Sequence, residues 1–297
     1  MISGYLSNSK KPIKKFVLGK IKSLYIPYVV FTLLFVLFEG ALFKIGVKNY
    51  IKIFAMMYLP NLMGAAWFIA TLFYSEIIFF VVYRLISYIS ERKLYLLILI
   101  FSIIMFIVGN VSLFPLFINR ILIAISFLGI GDELKKIDFD TIDFKKQLII
   151  VIMSIFTLVI FGIRFYSSYS SNTFPNALIS GITALTGSVG IFMLSRIICN
   201  NNNIKSILQY IGSKTMGVVL LQFVGFRIVN YIIFRFYDLD NHAILAFPVN
   251  YEFNYWYWCI FYVIFGLFIS IYIYMVYEKI LCIIADCTIR LKTYRRI

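Results

Sequence analysis

The sequence predicts an all-α protein, a polytopic bundle of transmembrane helices, on three observations. Hydrophobic residues make up 62% of its 297 positions and charged residues only 14%, whereas soluble domains sit at about 45–50% and about 25%. Long apolar runs recur along the chain. A backbone of that length crosses hydrocarbon only if it pairs its own polar groups, which helices do and open sheets do not. The Lys and Arg residues fall mainly between the runs.

Taken in order, segments of about 20 apolar residues, the length that crosses the hydrocarbon core, give about eight full spans. They run Leu24–Phe43, Ala65–Ile89, Leu94–Asn110, Leu113–Gly131, Gln147–Tyr166, Asn176–Cys199, Thr215–Tyr237 and Trp256–Cys282. The fourth is the least regular, because Pro115, Asn119 and Arg120 interrupt its first half. Ahead of the first stands "MISGYL", apolar but closed off by Lys10, Lys11, Lys14 and Lys15 and far too short to cross. No cleavable leader is expected there. Residues 1–297 read as a single integral-membrane domain. The longest connections, Lys44–Gly64 and Asp238–Tyr255, have room for at most a short interfacial helix or ordered loop.

The formal net charge of +15 does not point to nucleic acid, which needs a soluble basic face. It reads as a topology signal. With Lys10 to Lys22 on the cytoplasmic side, eight crossings put Arg92 and Lys93, Lys135 to Lys146, Lys205 and Lys214, and Arg290 to Arg296 on that side too. The opposite loops hold only Lys44, Lys48 and Lys52. The expectation is a cell-membrane protein, bacterial in composition, with both termini of this chain cytoplasmic and membrane lipid as its first partner.

Redox and metal chemistry find little here. The four cysteines, Cys199, Cys259, Cys282 and Cys287, form no C-x-x-C pair and read as small buried hydrophobes, so no metal site is expected. His242 is the single histidine. It falls in an extracytoplasmic loop beside Asp238 and Asp240, where a solvated role is the default and a catalytic one the alternative.

Four stretches then stand out in order. "ISGYL" leads into a basic run and "KIKSLYIPY"; "AWFIATLF" covers Ala66–Phe73; "RILIAISFLGIGDELKK" covers Arg120–Lys136; and "LQYIGSKTMGVVLLQ" covers Leu208–Gln222. Together they resemble acyltransferase family 3, the integral-membrane O-acyltransferases that include fucose 4-O-acetylase-like and surface polysaccharide O-acetyltransferases. The resemblance implies a bundle of roughly ten helices, a cytoplasmic acyl-CoA donor, acetyl-CoA in the first instance, and a glycan hydroxyl as acceptor, with no bound cofactor. It also implies that "MISGYL" is the end of the family's second helix. The family's histidine, on its first helix, is then expected N-terminal to Met1. Gln222 stands where many relatives carry a second histidine. On this reading no catalytic residue lies in the chain, which alone would be a poor catalyst or none.

The remaining candidates are binding groups. Burying a charge in lipid costs at least a few kcal/mol, so intramembrane ionisable residues tend to face a cavity or one another. Glu76, Arg120 and Arg227 are therefore expected to line a cavity, with a structural ion pair as the alternative. Lys20 and Lys22, at positions the family keeps basic, are candidates for the acyl-CoA phosphates, against a role as topology anchors or anionic-lipid contacts. Trp67 is a candidate for stacking on the acceptor sugar, against the aromatic belt. A polysaccharide exporter or flippase is the other class in view, although no inverted repeat is visible.

Overall fold

The structure is a computed structural model that describes residues 1–6, 11–38, 46–58, 63–89, 93–111, 113–165, 167–237 and 256–294. In chain order its helices are α1 (Ile2–Leu6), α2 (Ile13–Lys20), a π-helical turn (Ile21–Tyr25), α3 (Ile26–Phe38), α4 (Val47–Phe54), α5 (Trp67–Ile89), α6 (Leu94–Asn110) and α7 (Leu116–Glu133). They continue with α8 (Phe144–Arg164), α9 (Ala177–Ile198), α10 (Asn202–Ser213), α11 (Thr215–Tyr237) and α12 (Trp256–Tyr294). The chain is an all-α, polytopic membrane bundle.

The expectation of about eight full spans out of ten does not hold. Among the described residues six helices are long and apolar enough to cross: Ile13–Phe38, Trp67–Ile89, Phe144–Arg164, Ala177–Ile198, Thr215–Phe236 and Tyr257–Ile283. The two that drop out are neighbours. Helix α6 has 17 residues, about 25 Å at 1.5 Å per residue, short of the roughly 30 Å core. Helix α7 has 18 residues but carries Arg120, Asp132 and Glu133. The first span also starts earlier than expected, at Ile13 rather than Leu24, because the basic stretch is itself helical.

The chain divides into two compact units, Met1–Lys22 with Thr71–Ser206, and Ser23–Ala70 with Ile207–Ile297. In the first, α6 and α7 pair around Phe79, Ile98, Ile121, Ile125 and Leu128, while α8 and α9 pair around Val151 and Met193. The short helix α1 lies against α7, where a Cβ added at Gly4 would stand 2.1 Å from the Leu128 carbonyl oxygen. Only a residue without a side chain lets the two backbones come that close.

In the second unit α11 and α12 form the main pair, around Val229, Ile233, Trp258 and Tyr262. A Cβ at Gly225 would stand 2.4 Å from the Phe265 carbonyl oxygen. Apolar contact alone drives little association between helices already in lipid, so such backbone approaches and buried polar bonds matter more. The Tyr262 hydroxyl donates to Asn230 Oδ1 at 2.5 Å. Helix α4 occupies the Lys44–Gly64 connection and is tied to the first span, with the Tyr25 hydroxyl donating to the Phe54 carbonyl at 2.8 Å.

Candidate functional site

The first unit brings three polar side chains together within apolar sequence. Glu76, well inside α5, is only 5% exposed. Lys20, the last residue of α2, places Nζ 2.6 Å from Glu76 Oε2 and is 29% exposed. The Ser3 hydroxyl of α1 donates to Glu76 Oε1. Each partner arrives by a packing cause. Phe16, one turn before Lys20, stacks on Phe80 of α5 at 4.1 Å between centroids, which holds α2 on α5. Ser3 arrives because Gly4 lets α1 settle on α7.

Burial is unequal across the pair, and that decides what it can do. The carboxylate faces protein while the ammonium keeps an open side. An ammonium has three N–H donors, and one suffices for Glu76. The accessible half of the pair is therefore a cation held in place, suited to an anionic ligand. After Lys20 the helix widens into the π-helical turn, which carries the exposed Lys22; such turns often mark functional positions.

The other expected residues are placed differently. Arg120 lies at the start of α7, where its guanidinium donates to the Ser170 carbonyl. The Tyr169 hydroxyl donates to the Arg120 carbonyl at 2.7 Å, and Asn172 Nδ2 donates to the Gly109 carbonyl at 3.1 Å. These bonds fasten the loop that holds Ser168–Thr173 onto the α6–α7 turn. Burial pushes the Tyr169 phenol up, with the Arg120 charge a smaller opposing effect, so it stays a donor. Arg227, partly buried in α11, and Trp67, edge-on to Phe68 at 6.1 Å, belong to the second unit. His242 lies outside the described residues.

Two features escaped the sequence. Ser3 sits inside the quoted "SGYL" yet reads there only as a small residue beside Gly4. The Lys20–Glu76 pair joins residues expected in separate roles. Among the described residues no cluster of three His, Cys, Asp or Glu side chains is placed to hold a metal. A cleft of about 410 Å³ lined by Phe31, Leu34, Phe35, Leu221, Val224 and Ile273 is wholly apolar and has no group for group-transfer chemistry.

The sequence profile of the family Acyl_transf_3, described as an acyltransferase domain, matches residues 1–275. The chain belongs to this family. No curated protein and no solved structure matches it. Within this acyltransferase domain fall Ser3, Lys20, Lys22, Glu76, Arg120 and Arg227 alike, so the polar cluster is part of the family's own module. Membership makes the chain a membrane acyltransferase at the level of the family.

Proposed function

We propose that this chain supplies the donor- and acceptor-binding part of an acyltransferase that moves an acyl group, acetyl in the first instance, from acyl-CoA to a hydroxyl of a cell-surface or secreted polysaccharide, the base for the hydroxyl proton not being among its residues. The observation that carries the reading is the Lys20–Glu76 pair inside the matched domain, with its ammonium the accessible member. A cation fixed by a buried partner meets a phosphate with little further loss of side-chain freedom. Lys20 and the exposed Lys22 are the donor contacts on this reading. Glu76 positions Lys20, and Ser3 positions Glu76.

In the transfer the thioester C–S bond of the donor breaks and an ester C–O bond forms. The acceptor hydroxyl gives up its proton and the CoA sulfur gains one. Arg120 serves here by holding the loop through Ser170. Arg227 and Trp67 are proposed as contacts for the acceptor. The cation bias of the loops supports a donor arriving from the cytoplasm.

Deleting the gene from its host and measuring base-labile acyl esters on the surface glycan by mass spectrometry tests the reading. The expected result is loss of one ester species from a glycan still exported in normal amount. Normal esters on a reduced amount of exported glycan would favour an exporter and overturn the acyltransferase reading.

A further inference from the structure

In the second unit an open cleft of about 430 Å³ lies where α11 begins and the apolar part of α12 ends, lined by Tyr210, Lys214, Met275, Glu278, Lys279 and Cys282 among others. The acyl-transfer reading uses none of these residues. Lys214 precedes the span Thr215–Phe236, and Glu278 to Cys282 occupy the last turns of the span Tyr257–Ile283. The cleft is therefore level with one rim of the hydrocarbon. Whatever enters it laterally meets apolar wall on the membrane side and charge at the rim.

The charges select the ligand. Lys214 pairs with the Glu278 carboxylate, and their side chains are 18% and 40% exposed. Lys279 is exposed and has no ion-pair partner among the described residues. Two ammonium groups against one carboxylate leave a single net positive charge, which matches a monoanion. The Tyr210 hydroxyl donates to Met275 Sδ at 3.0 Å, a weak acceptor that an oxygen readily replaces. Met275 and Cys282 extend the wall toward the apolar side.

We propose that this cleft holds a singly charged phosphodiester headgroup, that of an anionic phospholipid. Its phosphate sits against Lys279 and the Tyr210 hydroxyl, with the more buried Lys214 offsetting the Glu278 charge behind it, and the head of one acyl chain lies along Met275 and Cys282. Coenzyme A, with several negative charges and no hydrocarbon tail, fits neither the net charge nor the wall. Glu278 sets the preference. It orients Lys214 and makes a second negative charge on the ligand unfavourable.

The test uses the full chain purified in neutral detergent and incubated with equal amounts of palmitoyl-oleoyl phosphatidylglycerol, phosphatidic acid and phosphatidylcholine, with retained lipid counted by native mass spectrometry. The unaltered chain is expected to retain phosphatidylglycerol in excess. Lys279→Gln should lower that excess about fivefold, the worth of one cation near a lipid surface, and the paired variant Lys48→Gln/Lys52→Gln on α4 should leave it unchanged. Glu278→Gln should raise retention of doubly charged phosphatidic acid relative to phosphatidylglycerol. No initial preference, an excess that survives Lys279→Gln together with an unaltered phosphatidic acid ratio in Glu278→Gln, or displacement of the lipid by coenzyme A would each overturn the assignment.

Discussion

Lys20 and Glu76 meet at 2.6 Å with very different exposure, 29% for the lysine and 5% for the carboxylate. Breaking the pair from its two ends is therefore not equivalent. Removing Lys20 strands a buried carboxylate, which is the costly case, whereas removing Glu76 leaves an ammonium that can rehydrate. Lys20→Gln should destabilise the detergent-solubilised protein by about 2–3 kcal/mol and Glu76→Gln by about 1 kcal/mol. The double variant should cost less than the sum, and unfolding followed by circular dichroism measures the difference. Strict additivity would mean that the two side chains are not coupled.

The loop fastened to α6–α7 depends on Asn172, whose backbone is left-handed at φ 55° and whose side chain reaches the Gly109 carbonyl. Asparagine tolerates that backbone better than other non-glycine residues. Asn172→Ala loses the bond and adds strain, together about 2–3 kcal/mol, while Asn172→Gly loses only the bond, about 1 kcal/mol. Thermal unfolding should rank the two in that order. Equal losses would remove backbone strain from the explanation.

Gly225 is a sharper case, since its would-be Cβ meets backbone atoms of α12, not a movable side chain. Gly225→Ala is expected to push α11 and α12 apart and lower the unfolding temperature by several degrees. An unchanged unfolding temperature would mean that the two helices are not held by this contact.

Not counting α6 and α7 as spans leaves the sides of the remaining loops unaltered, because a hairpin of two helices brings the chain back to the side it left, its turn being bonded to the Ser168–Thr173 loop on the other. Reporter fusions at Lys136 and Asn202 should read cytoplasmic and a fusion at Asn172 extracytoplasmic. A reversed reading at Asn172 would break the orientation drawn from the cations.

What was legible in the sequence follows from what each signal encodes. Hydrocarbon imposes helix and run length residue by residue, so the class and five of the six spans could be read near their places. The stretch "IKKFVLGKIK" reads as a basic run because its charge masks the helical continuity into Ile26–Phe38. Long Lys stems let such a helix begin in the interface. In the α6–α7 pair, seventeen apolar residues look like a span until the helix ends at Asn110. Spans that are apolar on every side give no amphipathic stripe to say which face meets which neighbour. That is why the sequence does not link Ser3, Lys20 and Glu76, and why it shows Arg120 as an intramembrane charge without its bonds to the Ser168–Thr173 loop.

The most direct test of the central claim follows the acyl group itself. Membranes from the host and from its gene deletion are supplied with acetyl-CoA labelled in the acetyl carbon, and label released from the glycan by mild alkali is counted. The account predicts label in host membranes alone, with Lys20→Ala/Lys22→Ala at the native locus needing about tenfold more donor for the same signal, the worth of roughly one charge-assisted contact. Equal label in host and deletion membranes would contradict it.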